Sequence, residues 1–263
     1  MSEAPDHFSA ASAVRPLGDG SYVAHLHPHW AIGDKPHGGY LLAVLARAAA
    51  ERAGRAPLTI SAHFLSAPRV GPVLIRTELL KSGRTVTALR AVLEQSGRTC
   101  VDATLGLGDL PTDEPAWSDV PDMPVNPPSG ALDLGTSEAR KFFSLSRVCD
   151  VRLDPADAHF VHGGTGAPRL RLWVKPRAEQ PDLFFGLTAG DITVPVTFNL
   201  GRRGWAPTVQ LTALMRAEPA NGWLRLVVNC AAVHGAWFDE DVTVVDSVGR
   251  LICQSRQLAL STG

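Results

Sequence analysis

The sequence predicts an α+β chain built as two tandem halves, each a long helix wrapped by an antiparallel sheet. Three observations carry that expectation: an uncharged helix followed by four strand-like runs, a proline-rich break near the middle, and a glycine rhythm found on both sides of it. Each element can be justified in chain order.

The first helix begins around Gly33-Asp34-Lys35-Pro36 and continues through Tyr40, Leu41, Val44, Leu45 and Ala48 to Gly54. Proline suits a first helical position and glycine the residue after the last turn. No charge occurs from Gly38 to Ala46, whereas Arg47, Glu51 and Arg52 follow, so the first half of this helix is expected to be enclosed. Strand-like runs follow at Leu58 to Leu65, Pro72 to Leu80, Thr85 to Gln95 and Thr99 to Leu107, separated by Gly71, Gly83 and Gly97 turns. One helix followed by a meander is an α+β pattern, not the alternation of a parallel sheet.

From Asp109 to about Gly135 the chain is rich in proline, aspartate and serine, which reads as an extended connector. The expected division is 1–108 for the first half, 109–141 for the linker and 142–263 for the second half. Beyond the linker come a basic strand, Leu170 to Lys175, and a weak helix candidate near Asp191 to Leu200. Four strands follow: Thr208 to Arg216, Trp223 to Ala232, Ala236 to Asp246 and Leu251 to Leu260. Gly83 and Gly97 stand 14 residues apart, as do Gly235 and Gly249, and Arg follows the second glycine of each pair. Gly71 and Gly222 precede them at nearly the same distance, so the rhythm points to duplication.

Composition narrows the class. With 25 basic and 26 acidic residues the net charge is -1, and no basic run exists to meet nucleic acid. Cys100, Cys149, Cys230 and Cys253 are scattered, without metal-type or disulfide-type spacing, and read as buried thiols of a reducing compartment. Met1 to Ser12 lacks the pattern of a signal peptide, and no apolar stretch reaches the ~20 residues that span a bilayer. A cytoplasmic location without membrane partners is expected.

The segments Lys35-Pro36-His37-Gly38-Gly39-Tyr40, Ser61-Ala62-His63-Phe64-Leu65 and Ser82-Gly83-Arg84-Thr85 resemble the first half of the double-hotdog acyl-CoA thioesterases. Trp205-Ala206-Pro207-Thr208-Val209-Gln210, Gly222-Trp223-Leu224 and Ser255-Arg256-Gln257-Leu258 resemble their second half. The resemblance implies a tandem hotdog fold, an acyl-CoA ligand, and hydrolysis to free acid and CoA without metal or cofactor, CoA being part of the substrate. It allows a monomer, since two hotdogs form an internal pseudo-dimer, and also further pairing into homodimers or higher homo-oligomers.

In that family an Asp, a Gln and a Thr or Ser of the second hotdog share a water. The Gln matches Gln257. The Asp falls on Gln210, with a one-residue slip left open, and the Thr falls near Cys230 and Ala231. Gln can orient water but cannot take its proton. Thr212 shares a strand face with Gln210, and Asp191 is a further carboxylate, either the cap of the second helix or a group facing the thioester, where burial beside apolar walls would raise its pKa and suit it for base work.

Gly38 and Gly39 sit where backbone N–H groups at a helix start could receive an oxyanion, or could serve only close packing. Tyr40 is expected in the core or along the acyl tunnel, His37 as a substrate contact or no more than a solvated helix-start residue, His63 at the surface or a pocket rim, and Arg202-Arg203 near the CoA phosphates or in a solvated turn. His27, His29 and His63 lack the acidic company of a metal site.

Two other readings stand beside hydrolysis. One is a non-catalytic acyl-CoA binding protein, suggested by Gln210 in place of the carboxylate. The other is an enoyl-CoA hydratase, suggested by Asp34 and His37 at a spacing that departs from that family's pattern.

Overall fold

The computed structural model describes residues 7–136 and 143–262; the start of the N-terminal tail and the end of the expected linker, 137–141, lie outside them. The first half comprises α1 (Phe8–Ala11), β1 (Arg15–Gly18), β2 (Ser21–Leu26), the hairpin β3 (Ala31–Ile32) and β4 (Lys35–Pro36), α2 (Gly38–Ala53), β5 (Ala56–Phe64), β6 (Gly71–Lys81), β7 (Thr87–Gln95) and β8 (Arg98–Gly108). The second comprises β9 (Leu132–Asp133), β10 (Cys149–Leu153), β11 (Arg169–Pro176), α3 (Leu183–Ala189), β12 (Thr208–Met215), β13 (Leu224–Asn229), β14 (Val233–His234), β15 (Trp237–Val245) and β16 (Leu251–Leu260).

One antiparallel sheet runs through both halves in the order β1-β2-β6-β7-β8-β5-β12-β16-β15-β13-β11-β10-β9, with β14 added to β15. Reading outward from the central β5–β12 pair, each half repeats the other: β8 matches β16, β7 matches β15, β6 matches β13 and β2 matches β11. The glycine rhythm falls on equivalent turns. Gly97 and Gly249 close the last hairpin of each half with φ 75° and 91°, and Gly71 opens and Gly222 precedes matching strands with φ 124° and 113°. L-residues rarely adopt these angles, which is why glycine recurs there.

α2 lies inside the curved sheet. Tyr40 and every residue from Leu42 to Ala46 are fully buried, as the charge-free stretch predicts. The helix begins at Gly38, after His37, and Pro36 belongs to the preceding hairpin; Gly54 ends it in the left-handed conformation at φ 65°. Tyr40 belongs to the core: its hydroxyl donates to Ala11 O at 2.6 Å and accepts from His27 N at 3.2 Å. Phe8 packs edge-on to Trp30 and Phe185, with centroids 4.9 and 5.4 Å apart, and so ties the N-terminal turn to both halves.

The expectation of two long helices is corrected. α3 has 7 residues and precedes the stretch near Asp191 to Leu200; that stretch holds a turn and a short 3-10 segment, Val196–Leu200. Asp182 starts α3 by accepting Phe185 N at 2.7 Å. Gly190, Pro195 and the β-branched run Ile192-Thr193-Val194 prevent its continuation.

The proline-rich segment is docked rather than loose. Met123 is buried, its carbonyl accepts from the Arg225 guanidinium at 2.7 Å, and Pro124 O accepts Trp173 Nε1–H at 2.8 Å. Among the described residues no helix is long and apolar enough to cross a membrane.

Candidate active site

The seam between the halves is the β5–β12 pair, with Ser61 opposite Thr212 and His63 opposite Gln210. Inside the sheet at this seam, the start of α2 meets the turn that follows α3. Asp191, the second residue beyond α3, is buried, and its carboxylate accepts Gly39 N–H at 2.6 Å. That approach requires the two glycines: a Cβ on Gly38 would lie 2.7 Å from Asp191 Oδ2, and one on Gly39 2.8 Å from Thr188 O and 2.9 Å from Asp191 Cβ. The packing role of Gly38 and Gly39 is therefore real, and it serves to bring a carboxylate to the positive end of a helix.

Burial pushes the Asp191 carboxyl up to about 7, against the favourable Gly39 N–H. His37 is buried beside it, Nε2 lying 3.1 Å from Asp191 O and 3.6 Å from Oδ2. Burial pushes the His37 ring down to about 4, so it is neutral at ordinary pH. A carbonyl only accepts, so the ring proton sits on Nε2. His37 is thus a wall of the site rather than a solvated helix start.

A second polar cluster stands in the same cavity. Gln257, on the inner face of β16, accepts Thr208 Oγ1–H at its Oε1 at 2.5 Å and donates from Nε2 to Glu240 Oε2 at 2.6 Å. Glu240 also accepts Val196 N–H at 2.8 Å and the Thr193 hydroxyl at 3.3 Å. Burial, with Asp191 nearby as a lesser cause, pushes Glu240 up to about 7.

Asp191, Thr193, Thr208, Glu240, Gln257, His37 and Gly38 all line one cavity of about 370 Å³. Its apolar walls include Leu41, Phe64, Phe143, Phe198 and Phe238, and at its rim Lys35 Nζ lies 4.9 Å from the centre of the Trp205 ring. Two largely buried sets of carboxyl, amide and hydroxyl groups around an apolar chamber suit the handling of a water against a carbonyl bearing an apolar chain.

The sequence-predicted residues divide accordingly. Gln257, Asp191, Gly38 and His37 come together at the cavity and Gly39 directly behind it. Asp191 is not a helix cap, because α3 ends before it. Gln210 and Thr212 lie on the opposite side of β12 from buried Leu211 and Ala213; the Gln210 amide donates to Thr212 Oγ1 at 2.8 Å, and Thr212 meets Ser61 Oγ at 2.9 Å. The reason is a bulge: Thr208 faces Ala259 and Gln210 faces Leu258, so one extra residue of β12 lets Thr208 reach Gln257.

His63 is exposed on the outer face, opposite Asp102 and Gln210. Tyr40 is core. Arg202 donates to Gly235 O and Arg203 to Phe160 O at 2.8 Å, in the turn leading to Gly204 at the cavity rim. Asp34 is exposed at the hairpin tip, and the His37 ring is engaged by Asp191 instead. Cys230 donates toward Ala232 O and Asp239, away from the cavity lining.

Thr208, Glu240 and Lys35 were missed as site residues. For Glu240 a signal existed: in Trp237-Phe238-Asp239-Glu240-Asp241-Val242 the acid at 240 shares parity with Phe238 and Val242, which places it on the buried face.

Comparison with known proteins gives a consistent result. Residues 26–108 match the acyl-CoA thioesterase N-terminal domain and residues 118–261 the acyl-CoA thioesterase C-terminal domain. An uncharacterised protein of Mycobacterium tuberculosis is 38% identical, covering 96% of this chain and 97% of its own. A protein of Thermobifida fusca assigned as a thioesterase II superposes with a TM-score of 0.88 at 33% identity, over 98% of both chains. A protein of unknown function with a hot dog fold from Alicyclobacillus acidocaldarius superposes with a TM-score of 0.85 at 21% identity, over 97% of this chain and 98% of its own.

Proposed function

The chain belongs to the acyl-CoA thioesterase family, and from that premise we propose that it hydrolyses an acyl-CoA thioester to the free acid and CoA, with Asp191 as general base. The observation that carries the reading is Asp191 itself: a carboxyl tuned to about 7, held at a helix start and bordering the cavity that also holds the Gln257–Thr208 pair.

In the reaction, water lies between Asp191, Thr208 and Gln257. Asp191 takes one proton as the water oxygen bonds to the thioester carbon, and the carbonyl becomes an oxyanion. The N–H of Gly38, at the first position of α2, is the donor we assign to that oxyanion; Gly39 N–H is already held by Asp191. Collapse of the intermediate breaks the C–S bond, and the CoA thiolate leaves with the proton from Asp191.

The acyl group occupies the Phe-lined chamber. Its volume is at the small end of ligand pockets, which run from roughly 300 to 1,000 Å³, and this favours a short or medium acyl group. Lys35, Arg202 and Arg203 supply cations near the rim for the CoA phosphates. No metal or cofactor enters this scheme.

The binding-protein reading arose from Gln210; Asp191 supplies the carboxylate that it lacks. Release of free thiol from an acyl-CoA chain-length series tests the proposal. Turnover on short or medium chains is expected. Absence of turnover on every chain, with CoA still binding, would leave the non-catalytic reading in its place.

A further inference from the structure

Gln257 can act on a water only if its amide points one way, and the side chain alone does not decide which. Its Oε1 and Nε2 differ in hydrogen-bond sense while having nearly the same shape. Here both ends are committed: Oε1 accepts from Thr208 at 2.5 Å and Nε2 donates to Glu240 at 2.6 Å. Glu240 is in turn fixed from the other side by Val196 N–H, at 2.8 Å to Oε1, and by the Thr193 hydroxyl, at 3.3 Å to Oε2. A backbone N–H can only donate, so one Glu240 oxygen must accept there whatever else changes.

We propose that Glu240 is a positioning residue that fixes the direction of the Gln257 amide and, through it, the direction of the Thr208 hydroxyl. The chain of donors runs Thr208 to Gln257 to Glu240. With the Thr208 proton spent on Gln257 Oε1, the lone pairs of Oγ1 face the cavity and accept the second proton of the water whose first proton goes to Asp191.

The order described is that of the ionised carboxylate, present above about pH 7; if residue 240 were neutral and able to donate, it would reverse. Gln257 would turn its oxygen to residue 240 and its amide nitrogen to Thr208. The Thr208 proton would then point into the cavity, where it competes with the water's own proton for Asp191. Glu240 would also be a costly residue to bury for packing alone, since its neighbours Phe238, Val242 and Val244 on the same face are apolar. It keeps its place by satisfying three donors at once.

The inference rests on the hydrolase reading, and the test separates the two. The variants are E240Q, E240D and the exchange E240Q/Q257E, assayed by thiol release from the best acyl-CoA of the wild-type protein. In E240Q the amide oxygen still accepts Val196 N–H, so the fold is kept while the hydrogen-bond order reverses. A fall in kcat of roughly 10- to 100-fold with KM within about 3-fold is expected, the scale of a misoriented reacting group.

The exchange restores an acceptor at 257 for the Thr208 hydroxyl and a donor at 240, so kcat should recover at least 3-fold above E240Q. Recovery by the exchange is what a merely structural role would not produce. If E240Q does not fold, E240D, which keeps the carboxylate but shortens its reach, should lower kcat with KM held. Unchanged kcat in the folded single variant, or an exchange no better than E240Q, overturns the proposal while leaving hydrolysis standing. Absence of wild-type turnover removes the hydrolase reading instead.

Discussion

Asp191→Asn should make the protein more stable and far less active at the same time. The folded carboxyl takes up its proton near pH 7, whereas an unperturbed Asp does so near 3.8. A raised pKa means that the fold prefers the protonated form. This group's contribution to stability is therefore whole below pH 3.8 and is lost as pH rises through 7, by roughly 4 kcal/mol when complete.

Asn removes the charge while its side-chain oxygen can still accept Gly39 N–H. Its amide nitrogen needs a partner of its own, at a cost of about 1–3 kcal/mol if none is found, so a net gain of about 1–3 kcal/mol remains at pH 8. At about 2–4 °C per kcal/mol for a chain of this size, the variant should melt roughly 2–12 °C above wild type at pH 8, and the gap should close by pH 5.

Loss of the base should lower kcat/KM about 10²- to 10⁴-fold, while in the wild type kcat/KM should climb as pH rises to about 7 and then level off. Thermal melts at the two pH values, paired with thiol-release kinetics, read both effects. Wild-type activity in the variant, or a melting temperature at pH 8 that falls together with activity, would refute the assignment of Asp191 as a strained base.

Gln257→Ala and Thr208→Val should each lower kcat by about 10-fold or more with little change in melting temperature, read in the same assay. Gln210→Ala and Thr212→Ala, on the outer face of β12, should leave kcat and KM within about 2-fold of wild type. Gly39→Ala forces a Cβ against Thr188 O and Asp191 Cβ; denaturant titration should show a loss of about 1–3 kcal/mol, with activity falling because the base is displaced. Tyr40→Phe strips the donor from Ala11 O and should cost about 1–3 kcal/mol in the same titration without altering kcat.

Much of this architecture was legible in the sequence because local rules and tertiary needs agreed. α2 carries a charge-free stretch and ends on Gly54, and the meanders are punctuated by glycines whose positive φ leaves little choice of residue. Where the two levels part, the sequence misleads. α3 is one short segment, Leu-Phe-Phe-Gly-Leu-Thr-Ala, whose composition suits a strand as well as a helix; its identity comes from the Asp182 cap and from packing on α2.

Gln257 was recoverable from its strand motif. Thr208 was hidden by a bulge that shifts parity by one residue, whereas Gln210, taken from the family's Asp position, lies on the outer face. Asp191 was visible as a carboxylate that burial would suit for base work, but its partner was not, because that contact is with Gly39, 152 residues earlier. No periodicity encodes a contact of that separation. Glu240 lay among three consecutive acids, of which alternation buries only the middle one.

The most direct test of the central claim is a single turnover in ¹⁸O-water with enzyme in excess over acyl-CoA, followed by mass analysis of the released acid and of the protein. Attack by a water held against Asp191 predicts one solvent oxygen in the acid at the first turnover and no label or acyl adduct on Asp191. Acid released without solvent oxygen, with the label appearing in Asp191 or an acyl group trapped there, would contradict it.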